Sequence, residues 1–140
     1  MVLPLEAVVE NLPSLADRMR SSVDQRMVFK LPDEMALTAG ATLPTVFLTA
    51  HFALNQLARM QPGERILIHA AAGGVGQAAI QLSQRLGLGI FATAGTPEKR
   101  DLLRQLGVPH VMDSRTLDFA DEVMQLTNGK GVDAVLNSLA

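Results

Sequence analysis

Two glycines, Gly73 and Gly76, stand between an apolar run and a stretch with helical periodicity. Glycine lets a backbone come close to a pyrophosphate, and the N–H groups at the start of a helix attract anions. The strict pattern G-x-G-x-x-G fails because Ala71 holds the place of its first glycine, whereas A-x-x-G-x-x-G fits. The sequence therefore predicts a phosphate-binding turn, or else a tight strand-to-helix turn without a ligand. The residues predicted to form the site here are Ala70, Ala71, Gly73, Gly74, Val75 and Gly76.

A second group of candidates follows the next apolar run, where units that bind NAD carry an acid for the ribose 2′-hydroxyl. No carboxylate stands there in this chain, and Lys99 and Arg100 follow in the first turn of a helix. A 2′-phosphate is therefore the expected ligand and NADPH the expected cofactor, with solvated surface charges as the alternative. Glu98 lies beside these bases, although an acid at a helix start also has an ordinary stabilising role. The candidates are Thr93, Ala94, Gly95, Thr96, Lys99 and Arg100.

Polar residues also follow the third and fourth apolar runs, at the strand ends where open parallel sheets bind ligands. Ser114 and Arg115 are candidates for contacts with adenine or phosphate. Asn137 and Ser138 are candidates for the ribose on the nicotinamide side, and turn formation is the alternative for all four residues. His69 ends the first strand, and we interpret it as a hydrogen-bonded, buried or half-buried side chain rather than a proton-transfer group.

The elements that position these residues alternate regularly along the second half of the chain. Strands are predicted at 65–70, 90–94, 110–113 and 132–136, and helices at 74–86, after a cap at Thr96 and after a cap at Thr116. Leu102, Leu103 and Leu106 are the expected buried stripe of the second helix. Short connections and right-handed crossovers predict an α/β fold with about four parallel strands in the order 3-2-1-4, half of a doubly wound sheet.

A long apolar helix is expected ahead of these strands, from Pro44 to Met60. Because it is apolar nearly all round, a second body of protein is expected to cover it, and His51 within it is interpreted as structural. An amphipathic helix over residues 5–12 and a short strand at 26–31 are predicted nearer the N-terminus. The first segment receives no function, and the second, with the short helical turn expected at 32–34, is interpreted as a connector.

Composition excludes several classes of function. A net charge of −2 gives no general attraction to nucleic acid or to anionic lipid. The absence of Cys excludes disulfides and a thiolate nucleophile and favours a cytoplasmic setting. No apolar run of membrane-span length and no export signal is recognised, so no membrane partner is expected. The absence of Tyr removes a phenolic proton donor.

Four segments, taken together, resemble a known family: ILIHAAAGGVGQAAIQL, FATAGTPEKRDLL, SRTLDF and VDAVLNSLA. They are similar to the enoyl reductase domain of modular polyketide synthases and animal-type fatty acid synthases, in the medium-chain dehydrogenase/reductase superfamily. LPTVFLTAHFAL also resembles the linking helix of that family. The resemblance covers roughly residue 26 to the end. It implies that 44–140 is the first half of an NADP-binding Rossmann domain with its linking helix, and that 1–43 is a remnant of, or connector to, a substrate domain.

The resemblance implies NADPH-dependent reduction of an α,β-unsaturated thioester on an acyl carrier protein, with hydride delivered to the β-carbon, a proton to the α-carbon and no metal. It places the cofactor site at 70–76, 93–99, 114–115 and 137–138, but no catalytic residue carries over, so the isolated chain is expected to be inactive. A free-standing NADPH quinone oxidoreductase-like enzyme and a non-catalytic nucleotide-binding module are the alternatives. An apolar sheet edge at VDAVLNSLA also predicts self-association as a homo-oligomer.

Overall fold

A computed structural model describes the chain at residues 2–4, 22–24 and 30–137. The chain divides into two compact units, Met1–Leu43 and Pro44–Ala140. In the first unit, strand β1 (Val2–Pro4) pairs antiparallel with β2 (Ser22–Asp24). The helix expected at 5–12 and most of the strand expected at 26–31 lie outside the described residues. The roles assigned to 1–43 and 44–140 stay predictions.

The second unit is built on a parallel sheet. Its strands are β3 (Arg65–Ile68), β4 (Gly89–Ala94), β5 (His110–Asp113) and β6 (Ala134–Leu136). They lie in the order β5-β4-β3-β6, and each neighbouring pair is parallel. This is the predicted order 3-2-1-4, so the α/β fold and the half of a doubly wound Rossmann sheet are confirmed.

A long helix precedes β3, but its predicted bounds are wrong. Helix α1 runs over Leu37–His51, with Pro44 inside it, and continues as a π-helical segment, Phe52–Leu57. A proline is expected in the first turn of a helix, where its missing N–H costs nothing. The helix instead forms on both sides of Pro44, and its neighbours Leu43 and Thr45 are both helical. The tertiary setting thus overrides the local start signal.

Helix α1 and its π-helical extension are apolar over a considerable length. Leu37–Leu57 is 21 residues long and contains an 18-residue window with a mean hydropathy of 1.3, so by length and composition alone it could cross a membrane. The expectation that no segment reaches span length is therefore wrong, because Thr and Gly interrupt the apolar run without making it strongly polar. Ala50 and Leu54 lie in the same hydrophobic core as Ile66 of β3, which makes this part of the segment a packing element of the second unit. Phe52 remains 56% exposed, so one apolar face is not covered by the described residues.

Helix α2 (Gly74–Leu86) has the predicted bounds, and α3 (Pro97–Gln105) begins at the predicted cap, where Thr96 Oγ1 accepts the Lys99 N–H at 3.4 Å. The buried stripe of α3 is smaller than predicted. Leu103 is fully buried, whereas Leu102 and Leu106 are each 38% exposed. Leu106 lies beyond the last helical residue of α3, and Leu102 lies about 100° around the helix from Leu103.

Helix α4 (Asp118–Leu126) begins later than predicted. Leu117, not Thr116, occupies the cap position, and its side chain makes no capping bond. Residues 114–117 form a bend after β5 that carries the chain past Thr116 before the helix starts. The end of α4 follows the prediction, since Asn128 and Gly129 have left-handed backbone, with φ of 52° and 78°.

Strand β6 is one edge of the sheet, and its Val135 is 54% exposed. An apolar groove of about 440 Å³ lies between this strand and the π-helical segment. The strand is shorter than the predicted 132–136. The self-association expected at this edge stays a prediction.

The turn between β3 and α2 contains the closest backbone approach of the unit. A Cβ on Gly76 would lie 2.5 Å from both Cα and the carbonyl oxygen of Ala71, which is fully buried. Ala70, just before it, has a left-handed φ of 49°, so β3 ends at Ile68 rather than at the predicted residue 70. Backbone atoms cannot move aside as a side chain can, so this turn requires glycine at position 76.

We expect Gly76→Ala to lower the free energy of unfolding by about 1–3 kcal/mol, because the added methyl overpacks against backbone. Gly74→Ala is the matched control, since its Cβ would meet the movable side chain of Val46 at 3.0 Å. Urea unfolding of both variants measures the difference. A Gly76→Ala variant as stable as the parent would contradict the contact.

Candidate functional site

A cavity of about 610 Å³ lies at the edge of the sheet where the parallel strands end. Each strand contributes the residues that follow or close it, as expected for a ligand site in an open α/β sheet. The lining residues are His69, Ala70, Ala72, Gly73, Thr93, Ala94, Gly95, Thr96, Lys99, Ser114, Arg115, Phe119 and Asn137.

Most of the residues predicted from the sequence meet in this cavity. The predicted residues that line it are Ala70, Gly73, Thr93, Ala94, Gly95, Thr96, Lys99, Ser114, Arg115 and Asn137. Those that do not line it are Ala71, Gly74, Val75, Gly76 and Arg100. Ser138 lies outside the described residues. Ala72 lies within the range 70–76 that the family resemblance assigned to the cofactor site, whereas Phe119 was not predicted. A signal for Phe119 was available, because it follows the turn after β5, where ligand-contacting residues collect.

The start of α2 faces this cavity through Gly73. Gly73 is the cap residue, with extended backbone (φ −78°, ψ 171°), no side-chain capping bond and no acid in the first helical turn. The first N–H groups of a helix have no partner within the helix, and its dipole favours negative charge there. The loop is held by Gln77, whose Nε2 donates to the Ala72 carbonyl at 2.8 Å. This arrangement suits a bound phosphate group.

The other end of the cavity is basic and lies beside the end of β4. A Cβ on Gly95 would approach Arg115 Nε to 2.8 Å and Ser114 Oγ to 3.4 Å, so the arginine side chain lies against this glycine. Lys99 lines the same region. Within the described ranges, neither the Lys99 nor the Arg115 side chain makes a hydrogen bond or ion pair. Their donors therefore remain available to an anion.

Arg100 is turned away from the cavity, although it is a candidate for the same role as Lys99 on sequence grounds. Its Nη1 donates to Asp113 Oδ2 at 2.9 Å and to the Ala94 carbonyl at 3.2 Å. The side chain is 18% exposed. The two neighbouring bases therefore have different surroundings, and Lys99 is the one placed to meet a ligand.

His69 is half-buried on the cavity floor. Its Nδ1 lies 2.8 Å from the hydroxyl of the fully buried Thr93, and the edge of its ring meets Phe119, with centroids 5.2 Å apart. Burial lowers the pKa of His69, so the neutral imidazole is favoured near pH 7. This is the hydrogen-bonded side chain expected from the sequence. His51, in contrast, is exposed at the end of α1 and does not line the cavity.

The lowered pKa of His69 predicts a pH dependence of stability. An unfolded chain takes up a proton near its ordinary value of about 6.5, whereas the folded chain takes it up at lower pH. Between these two values the unfolded state binds more protons, so the free energy of unfolding falls as the pH falls.

NMR titration of the imidazole is expected to give a midpoint below about 6.5. Urea unfolding at about pH 7.5 and about pH 5.5 is expected to show a smaller stability difference for His69→Gln than for the parent. His51→Gln, at an exposed position, is the matched control. A His69 midpoint above the ordinary value would refute the burial argument.

Comparison with known proteins finds relatives of this chain both in sequence and in fold. Residues 74–140 match the family model described as zinc-binding dehydrogenase. The chain is 47% identical over 116 residues to the phthioceranic/hydroxyphthioceranic acid synthase of Mycobacterium tuberculosis, covering 83% of this chain and 6% of that protein. The solved CurK enoyl reductase is 55% identical, with a TM-score of 0.81 over 86% of this chain and 36% of its own. The nucleotide-binding subdomain of the PpsC enoylreductase domain from Mycobacterium tuberculosis is 53% identical, with a TM-score of 0.66 over 69% of this chain and 54% of its own.

The zinc in the name of the matching family model has no counterpart among the described residues. In residues 2–4, 22–24 and 30–137, no group of three or more His, Asp or Glu side chains could hold a metal ion. The sequence also has no Cys. These residues therefore do not fit a zinc site, and no metal enters the chemistry considered below.

The relatives match most of this chain, whereas the chain matches only part of each relative. The chain spans 6% of the length of the mycobacterial synthase and 36% of the solved CurK chain. The resemblance recognised in the sequence is confirmed by sequence identity and by fold. The chain belongs to the medium-chain dehydrogenase/reductase superfamily, in the family of the polyketide synthase enoyl reductase domains.

Proposed function

We propose that the chain is the NADPH-binding part of an enoyl reductase that reduces α,β-unsaturated thioesters on an acyl carrier protein, in polyketide or fatty acid synthesis. The observation that carries the proposal is the cavity at the strand ends. The start of α2, without a side-chain cap, lies on one side of it, and Lys99 and Arg115, which make no side-chain ion pair within the described residues, lie on the other. NADPH has a pyrophosphate and a 2′-phosphate to place. This cavity offers a separate anion-binding feature for each of them.

The pyrophosphate is assigned to the start of α2. Gly73 lines the cavity there, and the N–H groups of the first turn point to that side because the helix runs away from the sheet edge. Gly76 supports the site indirectly. Its close approach to Ala71 holds the helix against β3, so a larger residue would displace the donors rather than block the ligand.

The 2′-phosphate is assigned to the corner formed by Gly95, Lys99 and Arg115. No carboxylate lines the cavity among the described residues, so no acid there competes for a ribose hydroxyl or repels a phosphate. Glu98 does not line the cavity. Hydrogen bonds from its own backbone N–H and from Thr96 lower the pKa of Glu98, so this acid is charged but engaged at the helix start. A ligand with a 2′-phosphate therefore fits this corner better than one with a free hydroxyl.

When bound, NADPH supplies the hydride for reduction of the enoyl group. The residues of this chain bind and orient the cofactor. Thr93 and His69 are joined across the cavity floor, and Phe119 packs against the imidazole, so these side chains give the cofactor a fixed surface. The parent synthase, the carrier-bound substrate, a cytoplasmic location and self-association are part of the same proposal, and the similarity to synthase domains supports the first of these.

We expect this chain to bind NADPH about tenfold to a hundredfold more tightly than NADH, the value of one charged hydrogen bond. Lys99→Ala and Arg115→Ala should weaken NADPH binding and leave NADH binding nearly unchanged. Lys130→Ala is the matched control, because this exposed lysine removes the same charge away from the cavity. Titration calorimetry with both cofactors measures the ratio. Equal affinities in the parent chain would refute the 2′-phosphate assignment.

We also expect that the 140-residue chain alone does not accelerate NADPH oxidation by a crotonyl thioester. Proton delivery needs a positioned acid, yet the sequence has no Tyr, and Lys99 is assigned to the phosphate. Absorbance at the nicotinamide band follows the reaction for the chain and for His69→Ala. Substrate-dependent oxidation that the substitution abolishes would make His69 catalytic and overturn this expectation.

A further inference from the structure

Behind the basic corner of the cavity, one guanidinium connects α3 to the ends of two strands. Arg100 Nη1 donates to Asp113 Oδ2 at 2.9 Å and to the Ala94 carbonyl oxygen at 3.2 Å. Ala94 and Asp113 are partners in the β4–β5 register, and each is the last residue of its strand. Arg100 therefore closes the end of the ladder at the point where both strands turn towards the cavity.

The same two acceptors also hold the turn that carries Arg115. Asp113 Oδ1 accepts the backbone N–H of Arg115 at 2.8 Å, and the Ala94 carbonyl accepts the N–H of Ser114 at 3.3 Å. Each acceptor thus has one bond to Arg100 and one to the turn. Since the Arg115 side chain lies against Gly95, the direction of that turn decides where its guanidinium enters the cavity.

We propose that Arg100 is a positioning residue for 2′-phosphate recognition, which acts through Asp113 and Ala94 on Arg115 and does not contact the phosphate. The inference rests on the proposed function of this corner. Without Arg100, the Asp113 carboxylate loses its charged partner and becomes free to rotate, so the bond to the Arg115 N–H weakens. The basic side chain is then held less firmly in its binding position, which reduces affinity for the phosphate.

Helix α3 contains a second arginine–aspartate ion pair, which does not connect the helix to a strand. Arg104 Nη1 lies 2.7 Å from Asp101 Oδ1, within the same helix and with side chains 54% and 65% exposed. The Arg100 pair is less exposed, at 18% and 39%, and joins separate elements. Exposed ion pairs three residues apart on one helix contribute little to stability. Arg104 therefore provides a matched control for the loss of an arginine from this helix.

The test uses the 140-residue chain and two probes, adenosine 2′,5′-bisphosphate and adenosine 5′-monophosphate. Their affinity ratio in titration calorimetry measures recognition of the 2′-phosphate alone. The ratio in the parent should exceed one, and Arg100→Met should reduce it about threefold to tenfold. Binding of the monophosphate should stay unchanged. Arg100→Lys should recover part of the ratio because it restores the charge, and Arg104→Met should match the parent.

Thermal unfolding of every variant accompanies the binding measurements. A parent ratio of one would overturn the proposed 2′-phosphate site and this inference with it. A parent ratio above one that Arg100→Met leaves unchanged would overturn the inference alone. Equal weakening of both probes by Arg100→Met would show a general structural role and would also overturn it.

A second variant covers the case in which Arg100→Met does not fold. Asp113→Asn keeps an oxygen for the Arg115 N–H and removes the charge that Arg100 meets. Asp113→Asn should lower the ratio below that of the parent, about as far as Arg100→Lys does. The double variant Arg100→Lys/Asp113→Asn should have a ratio little lower than either single variant, because both substitutions weaken the same Arg100–Asp113 connection. Fully additive losses would show that Arg100 and Asp113 act independently on the ratio, contrary to the proposal.

Discussion

The close contact between Gly76 and the backbone of Ala71 determines where the ligand edge of this sheet lies. Only 2.5 Å would separate a Cβ at position 76 from Ala71, so α2 starts immediately beside the end of β3. Ile66 and Ile68 of β3 and Ile80 of α2 then share one core. With the helix fixed in this way, its first N–H groups must point to the edge where all the strands end. The anion-binding property of the turn is thus a consequence of packing.

The cavity is electrostatically positive although the chain has a net charge of −2. The helix start supplies partial positive charge at one end, and Lys99 and Arg115 supply full charges at the other. Two acids near this corner are engaged elsewhere. Asp113 is bound by Arg100, and Glu98 is held by hydrogen bonds at the start of α3. His69 adds no charge near pH 7, since burial lowers its pKa. No carboxylate among the described residues that line the cavity therefore offsets the positive groups at its two ends.

The sequence predicted correctly those helix ends that are set by a capping residue, a proline or a glycine close to them in sequence. The bounds of α2 and the Thr96 cap follow from glycine, proline and hydroxyl residues at fixed positions, and the strand order follows from connection length and handedness. The start of α1 and the start of α4 were missed for one reason. Pro44 and Thr116 are both signals for a helix start. In the structure Pro44 lies inside α1, and the backbone bends at Thr116 so that α4 begins only after Leu117. Neither outcome can be read from the residues nearest in sequence.

The different roles of Lys99 and Arg100 could partly have been predicted from the sequence. Neighbouring residues on a helix point about 100° apart, so the two bases leave α3 in different directions. The predicted strand order places the ends of β4 and β5 side by side, and Asp113 at the end of β5 is then a partner for one base. A cation in the first turn also opposes the helix dipole. Arg100 has this cost offset by Asp113, whereas Lys99 has no such ion pair among the described residues. Lys99, the base without an ion pair among the described residues, is therefore the one available to a ligand.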